Sequence, residues 1–331
     1  MIDFNRLKNI VLSNNSFLIT THVNPDADAI GSEIALYYIL KQLGKTARII
    51  NHSDTPYNLA FLDRKNVIEH FSEELHRNVF DEYDVLVAID LNRSNRIVRM
   101  EKGFLNTKKL KICIDHHQDY EDVFTDVFVD TDYSATGHIL YDFIKKTGIV
   151  NLTYETAEPI YAAIMTDTGS FRFERTTPEI HKIAAELLTT GVNPGEVYDK
   201  IYDQSRFSKI KLFGRAVNSL KLFGVSNEIG YMQLSRKDFI ETEAIESDTD
   251  SFVNLSLSVE NVKLGILFLE LKEGFKVSLR SKGVIPVNKL AAEFGGGGHI
   301  NAAGLRIRNG NIQDYVPRIL NRAVDYVKQF G

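Results

Sequence analysis

Only one of the 331 residues is a cysteine, Cys113, which excludes an internal disulfide and any zinc site built from several thiolates. Such sparing use of thiol fits a reducing compartment. No stretch of about 20 consecutive apolar residues occurs, and the opening segment MIDFNRLKNIVLSNNSF has no apolar run of signal-peptide length. A soluble, cytoplasmic protein with no membrane partner is the expectation. An excess of basic residues is also missing, since 39 Lys and Arg stand against 44 Asp and Glu for a net charge of -5. Residues 1–224 carry 26 basic and 31 acidic side chains, and residues 225–331 carry 13 of each, so neither part offers a broad basic stripe for long nucleic acid. An anionic substrate must then be held locally, by metal ions, a few basic side chains or backbone amides. Internal repeats and low-complexity tracts are absent too.

What remains is ordinary globular material, 44% hydrophobic and 25% charged, in a chain roughly twice the usual length of one domain. Over the first two thirds, short apolar runs alternate with helical periodicity, the signature of an α/β fold with a mostly parallel sheet. Strands are predicted at Phe17–Thr20, Ala47–Ile50, Val85–Ile89, Leu110–Ile114 and Val127–Val129, and helices at Ala29–Gln42, Ala135–Lys146, Glu155–Met165 and Pro178–Leu188, the last stopped by Gly191. From Asn193 to Phe223 the pattern is helical without a strand, which reads as a connector. A smaller α/β unit with a mixed sheet follows, with strands near Ile229–Leu234, Lys263–Leu269 and Lys276–Arg280, helices near Val287–Phe294 and Ile312–Phe330, and a glycine run between the helices. The expected division is therefore 1–192, a connector over 193–224, and 225–331.

Ligands of an open parallel sheet bind beyond the carboxyl ends of its strands, so residues just after each apolar run carry the chemistry. There the chain places His22-Val-Asn-Pro-Asp26-Ala-Asp28, then Asp90, then Asp115-His116-His117, and, after a helix, Thr166-Asp167-Thr168-Gly169. Each has a plain structural reading in isolation: Asp28 could cap a helix beginning at Ala29, and Asp90 could serve a strand-end turn. Gathered together they cannot all be bland, because clustered carboxylates raise one another's pKa unless cations neutralise them. Asp26, Asp28, Asp90 and Asp167 bring four negative charges, which two divalent ions would cancel, and His22 and His116 add imidazole nitrogen. Carboxylate and imidazole without thiolate suits manganese, with magnesium or cobalt as substitutes. Two such ions about 3.5–4 Å apart would clamp a phosphate oxygen, lower the pKa of a water and stabilise in-line displacement at phosphorus.

These four segments resemble the successive motifs of the DHH phosphoesterase superfamily, and Phe294-Gly295-Gly296-Gly297-Gly298-His299-Ile-Asn-Ala-Ala-Gly304 resembles the signature of its associated C-terminal domain. Order, spacing and both domains match over nearly the whole chain, which resembles the stand-alone, two-domain members acting as nanoRNA hydrolases and pAp phosphatases. The resemblance implies that His22, Asp26 and Asp90 hold one metal, that Asp28, Asp90, His116 and Asp167 hold the other, and that Asp90 bridges. It implies that Asp115 orients His116, that His117 contacts the scissile phosphate or protonates the leaving oxygen, and that Arg96 lies at a common family position. Family members commonly carry an acidic residue where this chain has His138, which bears on substrate detail rather than on metal binding.

The glycines Gly295, Gly296, Gly297 and Gly298 read as a backbone amide cradle for phosphate or ribose. His299, Arg280 and, more weakly, Ser281 are candidates to grip the same anion. The expected substrates are short RNA oligonucleotides and small nucleotides such as pAp and dinucleotides, their terminal portion anchored here while the neighbouring phosphate meets the metals. Rival readings are a linear or cyclic dinucleotide phosphodiesterase, an exopolyphosphatase-like enzyme and a non-catalytic nucleic-acid-binding protein. The sequence leaves open whether the chain works alone or as a homodimer.

Overall fold

The apolar run Val85–Ile89 has no polar alternation, and a strand of that kind is stable only when both of its faces are covered. The computed structural model, which describes residues 1–118, 120–249 and 251–331, satisfies that demand in the first of two compact units, Met1–Gln204 and Ser205–Gly331. In the first unit the strands are β1 (Ser16–Thr20), β2 (Thr46–Asn51), β3 (Ile68–His70), β4 (Val85–Ile89), β5 (Leu110–Asp115) and β6 (Asp126–Val129). They pair in the order β3-β2-β1-β4-β5-β6, every pair parallel. Helices α1 (Phe4–Ser13), α2 (Ala27–Gln42), α3 (Val79–Glu82), α4 (Glu101–Asn106), α5 (Thr136–Thr147), α6 (Tyr154–Asp167), α7 (Pro178–Leu188) and α8 (Pro194–Tyr202) accompany them.

The alternation of side chains along each strand divides the core in two. Phe17, Ile19, Val85, Val87 and Ile89 join Ile30, Ile34, Ile139 and Ile160 from α2, α5 and α6 on one face. Leu18, Leu86 and Ala88 meet Val79, Phe80, Ile97 and Phe104 on the other. Close approach of α2 to α6 depends on Gly31, where a methyl group would collide with the Pro159 carbonyl oxygen. Gly137 in α5 is constrained likewise, a Cβ there lying 2.5 Å from that of Ala163.

The second unit holds a mixed sheet. Its strands are β7 (Lys221–Phe223), β8 (Ile229–Leu234), β9 (Leu264–Glu270), β10 (Phe275–Ser281), β11 (Gly297–His299) and β12 (Ala302–Ile307), in the order β11-β12-β10-β9-β8-β7 with only β8 and β9 parallel. Val277, Leu279 and Phe268 pack against α12 (Val287–Ala292) and α13 (Ile312–Phe330), while Leu267, Leu269 and Met232 face α9 (Phe207–Asn218) and α11 (Phe252–Ser256); α10 (Arg236–Thr242) lies before α11. Among the described residues no helix is long and apolar enough to cross a membrane.

Several sequence expectations are amended here. The connector over 193–224 divides at the unit boundary: α8 buries Val197 and Ile201 in the first core, α9 buries Leu212 and Ala216 in the second, and Lys221–Phe223 is a strand, not helix. Each amphipathic helix follows the core that can cover its apolar face. The glycine run is part of a hairpin, with Gly297–His299 as edge strand β11. Gly191 lies three residues past the end of α7, which Thr189 caps in an ordinary helical conformation.

The same substitution should act with opposite sign at two helical glycines. Gly31→Ala gains about 1 kcal/mol of helix propensity but drives a methyl into backbone, at a cost of about 1–3 kcal/mol or more, so denaturant unfolding of the first unit should shift to lower concentration. Gly214→Ala in α9, with nothing within 4 Å of the added methyl, should stabilise the second unit by about 0.5–1 kcal/mol. Equal and same-signed shifts would contradict the packing described.

Candidate metal centre

The strand order runs outward in both directions from the adjacent pair β1 and β4, so their carboxyl ends flank the switch point where a crevice opens. His22 lies two residues beyond β1 and Asp90 one residue beyond β4. Asp90 adopts a φ of 52°, a left-handed conformation uncommon outside glycine, and its N–H donates to Ile114 O at 2.9 Å. This sharp turn leaves the carboxylate almost fully buried between two imidazoles, His22 Nε2 at 3.4 Å from Oδ2 and His116 Nε2 at 3.7 Å from Oδ1. Thr136 Oγ1 donates to Asp90 Oδ1 at 3.0 Å.

The two aspartates of the His22 segment have different tasks. Asp26, not Asp28, is the N-cap of α2, accepting from Ala29 N at 3.1 Å, because the helix begins at Ala27. Asp28, in the first turn, is 1% exposed and accepts from Thr136 N (2.7 Å), Gly137 N (2.9 Å) and Ser32 Oγ (3.0 Å). The amino end of α5 thus fixes Asp28, a pairing of carboxylate with helix dipole. In the sequence Thr136 and Gly137 stand only at the start of a helix.

His116 completes the arrangement. Its Nε2 lies 3.3 Å from Asp167 Oδ2 and 3.4 Å from Asp28 Oδ2, and it is buried without a hydrogen-bond partner. A buried imidazole nitrogen facing three carboxylates and hydrogen-bonded to none of them is the arrangement a cation would satisfy. Two triads, His22 with Asp26 and Asp90, and Asp28 with His116 and Asp167, each gather their ligand atoms within 4.8 Å. The thiol is elsewhere: Cys113 is buried in β5 with Sγ on Leu91 O.

The electrostatics of the metal-free chain point the same way. Burial, then the charges of Asp90 and Asp167, push the Asp28 carboxyl well above the usual range, against the pull of His116. The same causes raise Asp26. Burial works against charge on His116, yet Asp167, Asp28 and Asp90 outweigh it and push its pKa up to about 10. Burial opposes ionisation of Asp90 too, but His22, His116 and His117 hold its carboxyl below the ordinary range. Divalent ions would stabilise these charges together.

Asp115 does not orient the His116 ring. Its Oδ1 accepts the backbone N–H of His116 (2.7 Å) and of His117 (3.2 Å) and lies 2.8 Å from His117 Nδ1, whereas His116 Nδ1 sits 3.3 Å from Tyr133 O. The adjacency of Asp115 to both histidines in sequence could not distinguish ring from backbone. His117 is about half exposed, 3.6 Å from Asp90 Oδ1. Arg96 lies in a 3-10 turn, its carbonyl accepting Val23 N at 2.8 Å and its charge acting on His22. His138 is buried against Tyr133, its pKa lowered by burial, and belongs to the packing of α5.

In the second unit, Arg280 and Ala302 are cross-strand partners, and Ala302 also pairs with His299, so all three share one face of the sheet, opposite Val277 and Leu279. The next row is Ser278, Gly304 and Gly297, nearly without side chains. Gly295 and Gly298 have φ of 79° and 142°. Ser281 departs from expectation: its hydroxyl donates to Ile285 O (2.7 Å) and accepts from Asn301 (3.0 Å), and the residue is buried. Both hydrogen bonds serve the turn after β10, which takes Ser281 out of the ligand-facing set.

Residues 16–164 match the DHH family, N-terminal domain, and residues 233–329 match the DHHA1 domain. The chain belongs to the DHH family and is a phosphoesterase of that class. It is 34% identical over 314 residues to the bifunctional oligoribonuclease and PAP phosphatase NrnA of Thermus thermophilus, covering 95% of this chain and 90% of that one. The protein of the same name in Bacillus subtilis is 27% identical, with 88% and 90% covered. A crystal structure of an exopolyphosphatase-related protein from Bacteroides fragilis superposes with a TM-score of 0.92 at 29% identity, covering 98% and 97%.

Metal uptake should release protons. Ligation needs neutral imidazole, and His116 in the metal-free chain is protonated up to a pH of about 10. Below that pH, affinity for Mn2+ should rise with pH, and calorimetry at pH 7.5 in buffers of different ionisation enthalpy should report about one proton or more released per chain. Binding without proton release would contradict the electrostatic account.

Proposed function

We propose that this chain is a divalent-metal phosphoesterase that hydrolyses short oligoribonucleotides to mononucleotides and removes the 3'-phosphate of pAp. The observation that carries this reading is the convergence of His22, Asp26, Asp28, Asp90, His116 and Asp167 at the switch point, in a chain 34% identical to an oligoribonuclease and PAP phosphatase over 95% of its length. One divalent ion would be held by His22, Asp26 and Asp90, the other by Asp28, Asp90, His116 and Asp167, manganese suiting these ligands and magnesium or cobalt able to substitute. When bound, such a pair polarises the phosphate and makes a water acidic enough to attack phosphorus.

The chain's own groups do the rest. Asp90, fixed by its left-handed turn and by Thr136, faces ligands of both triads. His117, with Nδ1 on Asp115, would hold its mobile proton at Nε2 and deliver it to the leaving ribose oxygen. Asp115 aligns that ring and the main chain of His116 together. In the second unit, the face shared by Arg280 and His299 and floored by glycine would bind a phosphate or ribose of a nucleotide. A chain of net charge -5 could thereby handle RNA in short lengths without a basic stripe.

Polyphosphate hydrolysis is the second reading, favoured by the Bacteroides fragilis likeness. A panel of pAp, di- to pentaribonucleotides, linear and cyclic dinucleotides and polyphosphate, each with and without Mn2+, separates them. We expect metal-dependent release of AMP from pAp and of mononucleotides from the oligomers, and loss of both in Asp90→Ala or His116→Ala. Arg280→Ala should raise KM about 10-fold or more with kcat little changed. Preference for polyphosphate over every nucleotide would overturn the proposal.

A further inference from the structure

Asp167 ends α6, and the chain that follows takes a path few sequences tolerate. Gly169, Ser170 and Phe171 have φ of 58°, 58° and 62° in succession. An aromatic residue in the left-handed region stores strain that its surroundings must hold. They do so thoroughly. Thr168 O accepts from Arg172 N (2.9 Å) and Phe173 N (3.0 Å), Thr168 Oγ1 accepts from Phe171 N (3.2 Å), and the Phe171 ring packs on Tyr161 and His181. The Phe173 ring covers Gly169 where any Cβ would collide.

This braced turn leads to Arg175, on the exposed side of the cluster. Arg175 Nη1 donates to Tyr133 O at 3.0 Å and lies 3.4 Å from His116 Nδ1. The carbonyl is the one that also faces the His116 ring at 3.3 Å. Among the described residues no carboxylate forms an ion pair with Arg175, although Asp28, Asp90 and Asp167 crowd the far side of that same imidazole. An exposed guanidinium with five donors, resting on a neutral carbonyl beside a candidate metal ligand, has most of its hydrogen-bonding capacity available for an anion.

We propose that Arg175 is a substrate-contacting residue whose planar fork takes non-bridging oxygens of the phosphate being hydrolysed. The inference rests on the phosphoesterase reading above and adds a residue to it. With cations held by the aspartates, the substrate phosphate would be the anion offered to Arg175. A charge-assisted bidentate pair with phosphate is stronger than the single bond to Tyr133 O, and an exposed side chain exchanges one for the other without unburying anything. The charge that grows on the phosphoryl oxygens as the ester breaks then meets a fixed cation of the protein.

The test measures binding as well as turnover. Inorganic phosphate and AMP are titrated calorimetrically into the Mn2+-loaded wild type, Arg175→Ala and Arg175→Lys, Mn2+ affinity is measured separately for each, and pAp kinetics are recorded. We expect Arg175→Ala to weaken phosphate and AMP binding and to lower kcat/KM by about 10- to 100-fold, with Mn2+ affinity unchanged and partial recovery in Arg175→Lys, which keeps the charge but not the fork. Unchanged phosphate affinity, or a loss confined to Mn2+ affinity, would overturn the proposal, the latter marking Arg175 as a brace for Tyr133 and His116. Wild-type protein that binds phosphate through Arg175 yet hydrolyses no nucleotide would instead sink the functional reading alone.

Discussion

Buried like charges repel, and that repulsion governs the first unit. Asp28 and Asp90 are each 1% exposed, and Asp26 and Asp167 stand at the rim of the same crevice. Water screens such charges poorly, so the cluster must find positive partners. Without metal the strain shows in a His116 pKa pushed up to about 10 and in Asp26 and Asp28 carboxyls raised above their ordinary range. A pair of divalent ions offers four positive charges with directional ligation. The features around the crevice, from the left-handed Asp90 to the amides of α5 aimed at Asp28, keep that demand in place rather than relieving it.

The fold supplies the rigidity. A parallel sheet buried on both faces fixes the ends of β1, β4 and β5, and the glycine-mediated approach of α2, α5 and α6 fixes the helix starts and ends that carry Asp28 and Asp167. Ligands that arrive from four segments of chain are thereby held to the tolerances that metal coordination needs. The second unit uses different means, a glycine-floored sheet face with a cationic side chain and an imidazole in one row.

Much of this was legible in the sequence because it follows from strong periodicities. The uninterrupted run Val85–Ile89 announces a strand covered on both faces, and the polar residue that follows such a run falls at the carboxyl edge, which located His22, Asp90 and His116. Less legible were features set by tertiary contact. The three-residue strand Ile68–His70 has too little pattern to detect, and the glycine run concealed an edge strand since glycine carries no periodic signal. Whether Asp115 served the ring or the backbone of His116 turned on a single carboxylate rotamer, and the commitment of Ser281 to its own turn depended on Asn301, twenty residues away. The assignment of α8 and α9 to separate units was hidden because an amphipathic helix does not say which core will cover it.

The central claim is that this crevice seats two cations on six side chains. Titration of the metal-depleted protein with Mn2+, followed by electron paramagnetic resonance, tests it most directly. Two ions per chain, with spin coupling between neighbouring sites that disappears in Asp90→Ala, is the result expected. A single uncoupled ion, or a stoichiometry unchanged by loss of Asp90, would contradict it.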